Sequence, residues 1–163
     1  MELFVIRHAK AADPEEALPD AARPLTTAGI RRFKRIASGL DELEVRFDLV
    51  LHSPWRRAVE TAELLAELCP GELRVDELLS RPPSRSLFAT LEDLADQGNE
   101  RIGLVGHQPW LGEFVAWCLT GATNAASNLP LRKGGVIWLE GDPRPGGFEL
   151  RAALPPDVLA DLG

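Results

Sequence analysis

Hydrophobic positions along the chain fall into short runs that are separated by longer segments with helical spacing. Four runs rich in Val, Ile, Leu and Phe predict strands at residues 3–6, 47–51, 102–106 and 136–140. The first and third show little polar alternation, as expected of strands that are covered on both faces in a parallel sheet. Helical patterns occupy residues 26–43, 54–68, 86–98 and 108–121. This alternation predicts an α/β domain.

Small and polar residues mark where these elements end. Ser53 suits the N-terminal cap of the second predicted helix, and Gly39, Gly98 and Gly121 suit helix C-termini. Residues 134–154 contain two apolar runs around a turn rich in Gly and Pro. This pattern predicts an antiparallel hairpin at one edge of the sheet.

Composition narrows the classes of protein. With 163 residues, 45% of them hydrophobic, the chain is expected to form one domain over residues 1–163. No apolar run approaches the roughly 20 residues of a membrane-spanning helix, and the N-terminal residues lack the order of a signal peptide. We therefore expect a cytoplasmic protein that does not enter a membrane.

Charge and cysteine usage exclude two further classes. The net charge of -7 argues against general nucleic-acid binding, which needs a basic excess. Cys69 and Cys118 lie far apart and lack CxxC spacing, so buried reduced thiols are expected rather than a redox pair or a zinc site. No metal and no cofactor is expected, and any phosphate must meet a local basic cluster.

Polar residues follow three of the predicted strands at the point where each strand ends. In an open parallel sheet, ligands bind beyond the carboxyl ends of the strands, so these loops are expected to meet. They supply Arg7, His8, His52, Ser53, Arg56, Arg57 and His107. Each residue alone has an ordinary explanation as a strand end in solvent or a structural histidine, but together they favour a functional site.

Arg56 and Arg57 are placed in the first turn of a predicted helix, where a cation opposes the helix dipole. A phosphate bound at that helix N-terminus would explain them, because free amides, dipole and guanidinium would all face one anion. The chemistry that fits is phosphoryl transfer to a histidine. Nearby cations such as Arg7 would keep His8 neutral and nucleophilic, while Arg57 and His107 would bind the phosphoryl oxygens.

Four segments resemble the histidine phosphatase superfamily, which is also called the phosphoglycerate mutase-like or RHG family. FVIRHAKA at 4–11 is similar to its N-terminal motif, with Ala9 in place of the usual glycine. RPLTTAG at 23–29, HSPWRRAVETA at 52–62 and LVGHQPWLG at 104–112 are similar to later motifs, in the family's order. More narrowly, the chain resembles the short bacterial SixA-type branch, the phosphohistidine phosphatases. The resemblance implies a phosphoglycerate mutase-like, three-layer α/β/α fold with a mainly parallel central sheet.

The resemblance also assigns roles to single residues. It implies that His8 is transiently phosphorylated and that Arg7, Arg57 and His107 bind the phosphoryl group. Arg57 is preferred to Arg56 because it has the family's spacing from Ser53. Arg23, Arg56 and Ser53 are expected to bind the substrate, although Arg56 is equally well explained as a solvated cation. His52 is expected to be a structural or rim group. Lys10 has no role in the expected mechanism.

Larger relatives carry a general acid in a segment that covers the substrate, and residues 70–100 are short by comparison. Asp76 and Glu77 are possible acids there, although each also suits the surface. An imidazole leaving group can carry its own proton, so the short segment favours phosphohistidine in a protein as substrate, for example in a histidine phosphotransfer domain. A small phosphate ester is the alternative, a non-catalytic phosphate-binding module is less favoured, and a monomer is expected.

Overall fold

The computed structural model describes residues 1–14, 18–122 and 131–163. Six strands are present in this part of the chain: β1 (Glu2–Arg7), β2 (Leu49–His52), β3 (Glu72–Val75), β4 (Arg101–Gly106), β5 (Val136–Gly141) and β6 (Phe148–Leu154). The α-helices are α1 (Thr27–Glu42), α2 (Arg56–Glu63), α3 (Arg85–Asp96), α4 (Trp110–Thr120) and α5 (Pro156–Leu162). Short 3-10 helices at Asp20–Ala22, Ala66–Leu68 and Glu77–Ser80 complete the elements.

All six strands form one sheet, in the order β3-β2-β4-β1-β5-β6. The pairs β3-β2, β2-β4 and β4-β1 are parallel, whereas β5 runs antiparallel to β1 and β6 antiparallel to β5. The predicted α/β class, the mainly parallel sheet and the C-terminal antiparallel hairpin at its edge are therefore confirmed.

Two separate apolar clusters cover the two faces of the sheet, and their residues come from alternate positions of the central strands. Phe4 and Ile6 of β1 face one side, where they pack with residues of α1, α2 and α5. Leu3 and Val5 face the other side, where they pack with residues of α3 and α4. Strands that are buried on both faces need apolar residues at every position, which explains the unbroken runs in the sequence.

Backbone pairing continues past the ends of the strands into the loops. The amide of His8 donates to the carbonyl of Gly106 at 3.1 Å, and the amide of Ser53 donates to the carbonyl of Val105 at 3.0 Å. Two of the three loops that carry the predicted site residues are thus held to β4 by ladder-type hydrogen bonds. The third, at His107, follows β4 itself.

The structure contains two elements that the hydrophobic pattern does not predict. Strand β3, with sequence ELRV, is exposed at both ends and only half-buried between them, so it lacks an apolar run. Helix α5 begins at the second of two consecutive prolines, and its Leu159 packs against α1. Gly39 lies inside α1, which continues to Glu42, and not at a helix end as expected. Glycine is needed there because a Cβ would lie 2.0 Å from the Leu159 carbonyl oxygen of the packed α5.

Smaller differences concern helix ends and cysteines. The predicted helix at 54–68 is shorter, ending as α2 before a separate 3-10 turn. Cys69 and Cys118 are free and buried, as expected from their spacing. None of the helices in the described ranges has the length and apolar character needed to cross a bilayer.

Candidate active site

A cavity of about 410 Å³ opens at the carboxyl ends of the central parallel strands. Its lining includes Arg7, His8, Arg57 and His107, the four residues that the sequence predicts to meet. Each comes from a different place in the chain: the end of β1, the loop after it, the first turn of α2 and the loop after β4. Arg23 also lines the cavity, as the sequence suggested.

Hydrogen bonds determine which ring nitrogen of His8 carries the proton. Nδ1 lies 2.7 Å from the Ala9 carbonyl oxygen, which can only accept, so Nδ1 is the donor. In a neutral ring, Nε2 then carries the lone pair, and it accepts a hydrogen bond from Nε of Arg57 at 3.2 Å. The unprotonated nitrogen of His8 therefore faces the cationic side of the cavity.

The surroundings of His8 keep its ring neutral. Burial lowers the pKa of His8 to about 4; the Ala9 carbonyl opposes this change, and the charges of Arg57 and Arg7 add to it. A cation beside an imidazole raises the cost of a second positive charge. His8 is thus a neutral imidazole at pH 7, the form in which a histidine is a nucleophile.

His107 is the second imidazole of the cavity, with its ring centroid 5.1 Å from that of His8. Nε2 of His107 lies 2.8 Å from Oγ of Ser53. Nδ1 is buried and has no hydrogen-bond partner among the described residues. Burial lowers the pKa of His107 to about 3, and the proximity of His8 and Arg57 contributes. The cavity therefore holds two neutral imidazoles beside the guanidinium groups of Arg7, Arg23 and Arg57.

Backbone carbonyls hold the side chains of Arg7 and Arg57 in place. Nη1 of Arg7 donates to the Leu131 carbonyl at 2.9 Å, and Nη1 of Arg57 donates to the Asp20 carbonyl at 2.6 Å. Arg57 is 3% exposed, and its Cζ lies 4.6 Å from the centre of the Trp55 ring. Burial lowers the pKa of both guanidinium groups, but an arginine remains charged at pH 7.

Thr61 of α2 connects the helix to the loop of His8. Its hydroxyl accepts a hydrogen bond from the amide of Ala9 at 3.1 Å and donates to the carbonyl of Arg57 at 2.6 Å. Thr61 is fully buried, so both groups are satisfied away from water. This hydroxyl therefore links the Arg57 turn directly to the His8 loop.

Asp20 is the main site residue that sequence reasoning missed. Its Oδ2 accepts from Nη2 of Arg57 at 3.0 Å, and its Oδ1 accepts from Nε of Arg23 at 2.7 Å. Burial acts to raise the pKa of Asp20, but the hydrogen bonds from Arg57 and Arg23 lower it overall. Among the described residues that line the cavity, Asp20 is the sole carboxylate. The sequence offered one indication of this role, because Asp20 precedes Arg23 by three residues, a spacing that allows an ion pair.

Four further lining residues were not predicted: Trp55, Gln108, Trp110 and Lys133. Trp55 packs on His107, with ring centroids 4.4 Å apart, and Trp110 packs edge-on against Trp55 at 5.7 Å. These aromatic rings form one wall of the cavity. Lys133 comes from the segment before β5. The rule that ligands bind beyond the carboxyl ends of parallel strands does not predict its presence in the cavity, because it precedes a strand.

Two expected substrate-binding residues lie outside the cavity lining. Arg56 is largely exposed and pairs with Glu60 at 2.7 Å, one turn further along α2, which is the behaviour of a solvated cation. Ser53 is completely buried, so its hydroxyl holds His107 from behind and does not face the opening. It also does not cap α2, because the helix begins at Arg56 and Ser53 only accepts from the amide of Trp55 at 3.3 Å.

The carboxylates expected as possible acids also lie elsewhere. Asp76 caps the following 3-10 turn by accepting from the amide of Leu78 at 2.8 Å, and Glu77 is exposed. Neither lines the cavity. His52 is buried at the end of β2, where its Nδ1 lies 3.1 Å from the Ser53 carbonyl oxygen, so it has the structural position expected of it. Across the described ranges, no three His, Cys, Asp or Glu side chains form a group that could hold a metal ion.

Comparison with known proteins gives a consistent result. The family model of the histidine phosphatase superfamily (branch 1) matches residues 3–80. The chain is 40% identical to an uncharacterized protein of Picosynechococcus over 85% of this chain and 84% of that one. It is 32% identical to the phosphohistidine phosphatase SixA of Escherichia coli, over 76% of this chain and 77% of that one.

Solved structures show the same relationship. The protein histidine phosphatase SixA, in a complex with tungstate, superposes with a TM-score of 0.83 at 26% identity, covering 98% of this chain and 99% of that one. The fold, the meeting of two histidines with two arginines, and these relatives define a phosphatase. The chain belongs to the histidine phosphatase superfamily, and within it to the SixA-type branch.

Lowering the pH should destabilise the fold through the buried imidazoles. Between about pH 6.5 and about pH 4, His8 gains a proton in the unfolded chain but not in the native state. The free energy of unfolding therefore decreases as the pH is lowered through this window. Urea denaturation at pH 7.0 and pH 5.5 measures the fall, and His8→Gln should make it smaller. A His8 ring that titrates near pH 6.5 by NMR would contradict this assignment.

Replacing Asp20 by Asn should strengthen binding of inorganic phosphate to the cavity. The substitution removes the negative charge that faces Arg57 and Arg23, but it keeps the backbone carbonyl that positions Arg57. Because the carboxylate is about half exposed, we expect only a roughly three- to tenfold tighter Kd by calorimetry. Asp41→Asn, which removes an exposed carboxylate paired with Arg46, is the control. Weaker phosphate binding in Asp20→Asn would mean that the carboxylate orients Arg57 more than it competes with the anion.

Proposed function

We propose that the protein removes the phosphoryl group from phosphohistidine in another protein, through a phosphohistidine that forms on His8, and without a metal ion. The observation that carries the proposal is the state of His8: Nδ1 donates to Ala9, so a neutral Nε2 faces Arg57 inside a cationic cavity. The similarity to SixA of Escherichia coli supports the same reaction class. So does the tungstate complex of a SixA structure, because tungstate is a tetrahedral oxyanion like phosphate.

In the first step, Nε2 of His8 attacks phosphorus and forms a nitrogen–phosphorus bond, while the bond to the substrate imidazole breaks. The electron pair of that bond goes to the leaving ring nitrogen. A substrate ring that holds a proton on its other nitrogen leaves as neutral imidazole, so no protein acid is required. In the second step, water attacks the phosphoryl group, the bond to Nε2 breaks, and inorganic phosphate and a proton are released.

The phosphoryl oxygens carry the charge that the cavity must stabilise during both steps. We assign this role to Arg7, Arg57 and His107. When the hydroxyl of Ser53 donates to Nε2 of His107, the proton of His107 is on Nδ1, the nitrogen without a partner. That buried N–H would donate to a phosphoryl oxygen. Arg23 would also contact the phosphoryl group once it releases its hydrogen bond to Asp20, because both side chains line the cavity.

The surroundings of the cavity favour an imidazole leaving group over an alcohol. A sugar or alcohol leaving group needs a proton donor, but Asp20 is held as an anion by two arginines, and Asp76 and Glu77 lie outside the lining. We therefore propose a phosphorylated protein as substrate, for example a histidine phosphotransfer domain. We place the reaction in the cytoplasm, with which two free buried thiols are compatible. A monomeric state stays a prediction.

A phosphatase for small phosphate esters is the second candidate. The structure is similar in fold to an α-ribazole phosphatase of Shigella flexneri, with a TM-score of 0.73, and to a phosphoserine phosphatase of Entamoeba histolytica, with 0.71. At 20% and 19% identity, these likenesses concern the fold alone. A non-catalytic phosphate-binding module is disfavoured because all four central residues are present and meet in one cavity.

The covalent intermediate can be trapped. Brief incubation with a ³²P-labelled phosphohistidine peptide should leave label on the protein that is stable to base and lost in acid, as expected of phosphohistidine. His8→Ala should carry no label, whereas His52→Ala, which removes a buried histidine outside the cavity, should carry it. Label on a folded His8→Ala protein would refute His8 as the nucleophile.

A substrate panel tests the leaving group. We expect kcat/KM for a phosphohistidine peptide to exceed that for sugar phosphates, nucleotides and phosphoserine by at least about a hundredfold, the size that general acid catalysis typically supplies. The panel should include the Asp20→Asn variant, because a role of Asp20 as acid would reduce turnover of esters alone. Faster turnover of any small ester than of the peptide would favour the second candidate.

A further inference from the structure

A second cavity, of about 570 Å³, adjoins the catalytic one. Arg7 and Lys133 line both cavities, so the two are contiguous along the surface. The second cavity lies between the start of α1, the segment before β5 and the first residue of α5. We call it the basic groove. Apart from Arg7 and Ala9, no residue of its lining has a role in the phosphoryl transfer described above.

Positive charge is concentrated at the basic groove. Five cations line it: Arg7, Lys10, Arg32, Arg132 and Lys133. Asp157 pairs with Arg32 and with Arg132, the latter at 2.9 Å, and no carboxylate is among the described residues of the lining. Burial and the charges of Arg7, Arg23 and Lys10 lower the pKa of Lys133. The groove therefore has a local excess of positive charge, although the net charge of the chain is -7.

The floor of the basic groove is apolar. Phe33 and Ile36 of α1 and Pro156 of α5 contribute to it. At Gly29 the backbone of α1 packs closely against the loop of Lys10, since a Cβ there would lie 2.2 Å from the Lys10 carbonyl oxygen. An apolar floor under a cationic rim suits an occupant with apolar and acidic side chains side by side.

We propose that the basic groove binds an acidic segment of the protein substrate next to its phosphohistidine. This inference rests on the proposed function and adds the chemistry of the partner: carboxylate side chains that meet Lys10 and Arg132, and an apolar side chain on the floor. Continuity through Arg7 and Lys133 places such a segment beside the phosphorylated residue. The groove would then select the protein that is dephosphorylated, while the four residues around His8 carry out the reaction.

Two peptides with one central phosphohistidine test the inference. One has Glu at the third and fourth positions on both sides, which share a helical face with the centre, and the other has Gln there. We expect kcat/KM for the Glu peptide to be at least about fivefold higher at low salt and to lose this advantage as salt rises, since exposed charges are screened.

The double variant Lys10→Gln/Arg132→Gln should lose the preference for the Glu peptide and keep its turnover of the Gln peptide. The matched control is Lys34→Gln/Arg46→Gln, which removes a lysine and an arginine paired with an aspartate from a different cavity. The control should keep the preference. Equal rates on both peptides with the unchanged protein, or equal loss in both double variants, would overturn the inference.

Failure of the proposed function gives a different result. If neither peptide is turned over, the groove is tested by fluorescence anisotropy with the unphosphorylated peptides: tighter binding of the Glu peptide, lost in Lys10→Gln/Arg132→Gln, supports the groove without the phosphatase activity. Equal binding refutes both. If Lys10→Gln/Arg132→Gln instead reduces only the turnover of a small phosphate ester that also carries a carboxylate, the groove binds a small molecule. That result would overturn the proposed protein partner.

Discussion

Parallel hydrogen bonding of β1 and β2 to opposite edges of β4 is the constraint on which the site depends. The register pairs Arg7 with Gly106 and His52 with Val105, so the residues that follow each strand emerge at the same level. The amides of His8 and Ser53 continue these ladders by one more bond each. Side chains fixed to a rigid sheet edge lose little entropy on binding, which is the usual basis of a preorganised site.

Burial then determines the electrostatics of that edge. Removing the two imidazoles from water keeps both neutral beside Arg7 and Arg57, which remain cations because guanidinium is so basic. The result is a positively charged cavity that contains a neutral imidazole nitrogen at pH 7. The carbonyls of Ala9, Leu131 and Asp20 hold the donors in place, so backbone geometry orients much of the site.

Elements with a strong hydrophobic signature were predictable from the sequence, and so was the meeting of the four central residues. β1 and β4 have continuous apolar runs, and the rule that ligands bind beyond parallel strand ends brought their loops together. β3 and α5 were missed because an exposed edge strand and a short helix that begins at a pair of prolines carry little of this signature.

Single side-chain roles were harder to predict. Ser53 has the residue type of a helix cap or an anion ligand, and only the fold shows that it is buried behind His107. Arg56 and Arg57 are equivalent in residue type and adjacent, yet helical rotation turns Arg56 to solvent and Arg57 into the cavity. Asp20 and Lys133 belong to segments without secondary-structure signals near the strand ends, so their contribution depends on tertiary contacts.

The pairing of Asp20 with Arg57 and Arg23 bears on how a catalytic cycle would end. A cavity with cations alone would hold inorganic phosphate tightly after hydrolysis, and release would become slow. A carboxylate that can return to both guanidinium groups offers them an alternative anion at the moment the product departs. The same contact that neutralises the resting cavity would thereby hasten product dissociation, so that affinity for the phosphoryl group and turnover need not oppose each other.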